Sequence, residues 1–165
     1  MNIFVSVGTD HHPFDRLVGW ASDWAKDHPE DDVFVQYGTS SPPTAGDGHE
    51  LLNRTSMLAR VAASDVVVVS CGPGGVMDVR AAGRLPIVVA RREPLGEHVD
   101  DHQLAFARHL ETHGLARTIE DGPGFAAVVD EARRHPDRFR VEFVDDQPSG
   151  IAEFGRLADR LVWGN

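Results

Sequence analysis

Cysteine is nearly absent. Cys71 is the only one in 165 residues, which excludes an intrachain disulfide and fits a reducing cytoplasm. Positive charge is scarce too: 16 lysines and arginines stand against 26 aspartates and glutamates, a net charge of −10. Neutralising a phosphate backbone needs a basic face, so nucleic acid is excluded as a partner. No apolar run approaches the roughly 18 residues of a membrane-spanning helix, and the N-terminus has no signal-peptide pattern. Repeats and low-complexity tracts are missing, as are G-K-[ST] and H-E-x-x-H. What remains is a soluble globular composition, 41% hydrophobic and 25% charged. A chain of this length buries roughly 70% of its unfolded surface, so we read one domain over 1–165.

The chain is organised around Asp65–Arg84, DVVVVSCGPGGVMDVRAAGR. Four β-branched residues, Val66 to Val69, without polar alternation predict a strand buried on both faces. Cys71-Gly72-Pro73-Gly74-Gly75 follows, then a helix from about Val76 to Ala82 with Gly83 as its cap. Strand, glycine turn and helix N-terminus present unpaired N–H groups and a positive dipole end to an anion. Asp78, about one turn into the helix, could accept hydrogen bonds from hydroxyls. The bland alternative is a βα turn whose glycines serve chain reversal alone. The G-x-G-x-x-G fingerprint fails, because Met77 stands where a glycine is required.

Elsewhere strands and helices alternate. Strands are predicted at Asn2–Val7, Val33–Tyr37, His49–Leu52, Pro86–Ala90 and Ala116–Ile119. Helices are predicted from Pro13 through Trp24, from Asn53 or Thr55 through Ala62, over Asp100–His113 and around Phe125–Ala132. Gly38–Gly48 reads as a long loop and His135–Ser149 as charged turns. Ile151, Phe154, Leu157, Ala158, Leu161 and Val162 predict an amphipathic helix over about 150–163. That stripe could cover the domain's own sheet or dock on a partner. The alternation implies an α/β, Rossmann-like, doubly wound parallel sheet with ligands beyond the strands' carboxyl ends.

Several ordered blocks carry a resemblance: VSVGT at Val5–Thr9, PFDRLV at Pro13–Val18, VQYG at Val35–Gly38, DVVVVSCGPGG, AAGRLPIVVARR and GEHVDDHQLAFARHL. Together they resemble the C-terminal, donor-binding domain of family 28 glycosyltransferases, and in particular the free-standing small subunits of two-component UDP-sugar glycosyltransferases. The fold implied is the C-terminal half of a GT-B enzyme. The activity implied is inverting transfer of a hexose, N-acetylglucosamine or glucuronic acid, from a UDP-sugar to a lipid-linked acceptor. By position, the resemblance sets Gly72, Gly74 and Gly75 on the diphosphate and Asp78 on the ribose. It sets Gly8 and Thr9 near the phosphates, and Asp100, His102 and Gln103 toward the sugar. The sequence departs from relatives at Gly75, where Ser or Thr is frequent, and at Ser70 and Asp10, where His is frequent.

The partners implied are a UDP-sugar and a membrane-associated acceptor-binding subunit, with a second copy able to cover an exposed patch in isolation. No cofactor and no metal are expected, and the location expected is cytoplasmic and membrane-peripheral. His11 and His12 could act as a general base or touch the donor, although that base could equally lie on the partner. The pairs His98/His102 and His109/His113, at i, i+4, read as solvent-facing helix residues. Cys71 reads as a buried filler, with redox sensitivity the alternative. A non-catalytic UDP-sugar-binding or scaffold protein, and a self-sufficient small transferase or hydrolase, are the competing functions.

Overall fold

The computed structural model describes residues 1–142; the terminal helix expected near 150–163 lies outside the described residues. Six strands form one parallel sheet: β1 (Asn2–Ser6), β2 (Asp32–Gln36), β3 (Asp47–His49), β4 (Val66–Ser70), β5 (Ile87–Val89) and β6 (Arg117–Thr118). Among the described residues four α-helices connect strands, α1 (Asp15–Asp27), α2 (Arg54–Ala63), α3 (Pro73–Ala81) and α4 (His102–Thr112), and α5 (Gly122–Arg134) follows β6. The strand order is β3-β2-β1-β4-β5-β6, with every pairing parallel. This is the doubly wound, Rossmann-like arrangement.

The valine run behaves as its composition requires. Val66 and Val68 enter a core layer with Leu17, Val18 and Phe125 from α1 and α5. Val67 and Val69 enter the opposite layer with Val76, Val79, Phe106 and Leu110 from α3 and α4. Successive strand side chains alternate faces, so a strand covered by helices on both sides has no polar positions. Each such valine contributes about 1.5–3 kcal/mol by leaving water.

Several boundaries move. Pro13 precedes α1 instead of opening it, because Ser40 Oγ accepts the Phe14 N–H at 2.7 Å and Phe14 becomes the cap. The strand expected at His49–Leu52 lies at Asp47–His49, where pairing with Phe34–Gln36 sets its register against the weak local pattern. α3 begins at Pro73, three residues earlier than expected, since proline suits a first helical position. Asn53 caps α2 by accepting from Ser56 N–H.

The winding reverses beside β1. From β1 the chain runs outward through β2 and β3, then returns to place β4 on the other side of β1. The loops that leave β1 and β4 therefore diverge at adjacent carboxyl ends and open a crevice, where such sheets bind ligands.

Candidate functional site

A cleft of about 750 Å³ occupies that crevice, within the size range of small-molecule sites. Gly8, Thr9, Asp10 and His11 line it from the β1 loop; Ser70, Gly72, Gly74, Gly75 and Asp78 line it from β4 and α3. Arg54, Arg91 and Gln103 complete the polar wall, and Leu52, Met57 and Val61 supply an apolar one.

The glycine turn is not explained by chain reversal. Gly72, Gly74 and Gly75 all have ordinary negative φ. A Cβ added to Gly72 or Gly74 meets nothing within 4 Å, and one on Gly75 makes only ordinary contact with Val69. Neither backbone conformation nor internal packing calls for glycine at 72 or 74, while Gly74 sits inside a helix that alanine would favour. No side chain caps α3, and its first turn has amides without helical acceptors. What the glycines leave is room above those amides. Cys71, beneath them, is a filler: it is buried, and burial pushes its thiol up to about 12.

The β1 loop is built differently. Gly8 has φ +81, and a Cβ there would lie 2.9 Å from Ser70 Oγ, so glycine is required both for conformation and for close approach to β4. Gln36, buried at the end of β2, donates to Gly8 O at 3.3 Å and accepts from Leu52 N–H at 3.3 Å. Arg91, just past β5, is 1% exposed. Its guanidinium donates to Val7 O, His12 O and Glu97 O at 2.7, 2.8 and 2.9 Å and stacks over Phe14. Its Nε has no partner among the described residues. Burial pulls the Arg91 pKa down, and the charges of Asp10 and Glu97 oppose that shift. Glu97 is itself buried and held in a fork by Arg16, with both contacts at 2.8 Å. The loop after β5 is thus pinned from below by one arginine and from the side by another.

Within the β1 loop, Asp10 Oδ1 accepts from His12 N–H at 2.8 Å and from His12 Nδ1 at 2.7 Å. Burial raises the Asp10 pKa, but these bonds and the charges of Arg91 and His12 outweigh it, so the carboxyl lies below its usual range. An ionised carboxylate only accepts, so the proton sits on His12 Nδ1 and Nε2 is the open position of the neutral ring. The His11 ring packs against that of His12 in a tilted arrangement, with centroids 3.9 Å apart. Side-chain atoms of Asp10, His11 and His12 that could hold a metal ion lie within 4.8 Å of one another, and Asp10 Oδ1 and His12 Nδ1 are bonded to each other.

Asp78 lines the cleft but is not free. Arg54, the first residue of α2, donates to both of its carboxylate oxygens at 2.9 and 3.4 Å. The Arg54 side chain is 73% exposed, which makes this a pair at the rim. Gln103 lines the cleft and accepts the Arg91 N–H at 3.1 Å. Asp100, His102 and His12 are not among the lining residues. Asp100 instead accepts from His102 N–H, which with the His102 ring lowers its pKa. His98 precedes α4, so His98 and His102 do not share a helix face; His98 Nε2 sits 3.6 Å from Asp10 Oδ2 and Nδ1 faces Asp100. The i, i+4 spacing of His98 and His102 gave no sign of this, because α4 starts only at His102. Arg54, Arg91, Gln36 and Met57 were also missed, being spread over three separate segments, α2, the end of β2 and the loop after β5.

Comparison with known proteins points the same way. Segments of 61 and 77 residues are 43% and 39% identical to the UDP-N-acetylglucosamine--N-acetylmuramyl-(pentapeptide) pyrophosphoryl-undecaprenol N-acetylglucosamine transferases of Rubrobacter xylanophilus and Solibacter usitatus. These segments cover 37% and 44% of this chain, but only 17% and 20% of the relatives' length. In fold, the chain is similar to the solution structure of ALG13, with a TM-score of 0.61 at 14% identity and 94% of both chains covered. It is also similar to the glycotransferase of kitacinnamycin, with a TM-score of 0.56 at 19% identity, covering 95% of this chain and 40% of that one. Residues 2–143 match the glycosyltransferase family 28 C-terminal domain, the family to which this chain belongs.

Proposed function

We propose that the chain is the donor-binding part of an inverting, UDP-sugar-dependent glycosyltransferase, transferring a hexose to a lipid-linked acceptor. The observation that carries this reading is the pair Gly72 and Gly74: cleft-lining glycines that the fold itself does not need, above an uncapped helix N-terminus. A diphosphate fills that space, taking backbone N–H groups and the helix dipole as donors. Gly8 and Thr9 close over it from the β1 side, and Ser70 from the end of β4. Asp78 accepts from ribose hydroxyls in place of part of its Arg54 contact. Gln103, flanked by His102 and Asp100, faces the sugar.

The relatives' names support N-acetylglucosamine as the sugar, with glucuronic acid the other candidate. The acceptor site and the base that deprotonates the acceptor sit on a membrane-associated partner, and the chain works in the cytoplasm at the membrane surface through it. The matched segments cover only 17% and 20% of those relatives' length, which supports this division. Among the described residues no helix is long and apolar enough to cross a membrane.

Calorimetric titration with UDP in excess EDTA tests the reading. Binding survives chelation, and Asp78→Ala weakens it by about 1–3 kcal/mol, the scale of a lost charged hydrogen bond. Arg54→Ala, which frees the carboxylate, leaves affinity unchanged or higher. Equal weakening by both substitutions would show that Asp78 serves only to hold Arg54, and the ribose role would fall.

A further inference from the structure

The charges lining the cleft do not suit its proposed ligand. Arg54 and Arg91 are balanced by Asp10 and Asp78. Arg54 is committed to Asp78, and Arg91 spends its guanidinium on three backbone carbonyls. A diphosphate brings two ionised phosphoryl groups into this balanced wall, with Asp10 as an added like charge. The α3 N-terminus offers the equivalent of only roughly half a positive charge. Three imidazoles surround Asp10: His12 Nδ1 at 2.7 Å, His98 Nε2 at 3.6 Å and His11 Nδ1 at 3.9 Å.

We propose that Asp10 and His11 in the cleft wall, with His12 and His98 behind them, form a proton-loaded charge cluster beside the diphosphate, in which the imidazoles take up protons as the donor binds and supply the missing positive charge. The inference rests on the UDP-sugar reading above. The geometry suits the task. Asp10 orients His12 from Nδ1, leaving Nε2 as the position that accepts the incoming proton. His11 packs against that ring at a tilt and lines the cleft, while His98 approaches from the loop before α4 with its centroid 6.0 Å from that of His12. The other charged groups facing the cluster are Arg91 from the β5 loop and Asp100, which contacts His98 and His102. An approaching anion favours each imidazolium, and Asp10 offsets repulsion among the rings. Imidazole is the side chain that can gain charge near neutral pH.

The test is calorimetry of the full chain with UDP at about pH 7.5, in buffers of different ionisation enthalpy. The wild type takes up between roughly half and one proton per UDP beyond the His11→Gln/His12→Gln/His98→Gln triple variant, in which the nucleotide's own titration is unchanged. Affinity of the wild type rises about fivefold between roughly pH 8.5 and 6.5, and the variant's rise is smaller. Uridine, lacking phosphate, causes no uptake. Imidazole nitrogen shifts of the wild-type chain with and without UDP report the same protons without any substitution. UDP binding with equal uptake in both proteins and unmoved His12 and His98 shifts would overturn the charge cluster while leaving the nucleotide reading intact. Failure of UDP to bind would remove both.

Discussion

Replacing Gly74 with alanine should make the protein more stable and worse at binding its ligand. Gly74 is the second residue of α3, with negative φ and nothing within 4 Å of an added Cβ. The substitution therefore introduces no clash, and it removes backbone entropy from the unfolded chain. Helix propensity alone predicts a gain of about 0.5–1 kcal/mol. The same methyl group projects into the cleft over the first amides of α3, where a diphosphate must approach the backbone closely. Losing one such charge-assisted bond costs about 1.5–3 kcal/mol, a weakening of roughly ten- to a hundredfold. Chemical denaturation and UDP titration on the same preparation read the two effects, which must have opposite signs. A destabilised Gly74→Ala protein would mean that the glycine serves the fold. A stabilised protein with unchanged UDP affinity would mean that no ligand backbone contact exists at this turn, and the site assignment would be refuted.

Two further expectations concern the groups that hold the site in place. Arg91→Met strips the carbonyls of Val7, His12 and Glu97 of their donor in a buried setting and should cost about 3–5 kcal/mol in denaturant unfolding; a loss below about 1 kcal/mol would contradict the pinning role. Asp31 has its carboxylate shielded from solvent and hydrogen-bonded by the Met1 ammonium, Trp24 Nε1 and Arg133. Burial raises its pKa, but those partners win and hold it below the usual carboxylate range. A depressed folded pKa means the stabilisation is present above the unfolded value and lost as pH falls through the folded one. Stability followed by Trp fluorescence should therefore drop below about pH 4, and Asp31→Asn should flatten that drop; a parallel profile would assign the acid sensitivity elsewhere.

Much of the architecture was legible in local pattern. Val66–Val69, with no polar position, read as a strand covered on both faces, and α1 was readable from the stretch between Pro13 and Trp24. The glycine turn and Asp78 were visible because strand, turn and helix are contiguous in sequence. β3 was misplaced by two residues because Asp47–His49 has no apolar signal, and its pairing with β2 alone sets its register. The rest of the site was decided by topology. Strand order β2-β1-β4 sets the β1 loop against the β4 turn, so Gly8 meets Ser70 across 62 positions of sequence. Arg91 joins Val7 to Glu97, and Arg54 reaches Asp78, only because the crossovers bring those loops to one edge. The histidines show the division most clearly: spacing paired His98 with His102 on a helix, while the fold placed His98 beside Asp10, 88 positions away in the chain. Local propensity and periodicity act over one or two turns of chain, and charge balance inside a cleft depends on segments that only tertiary packing brings together.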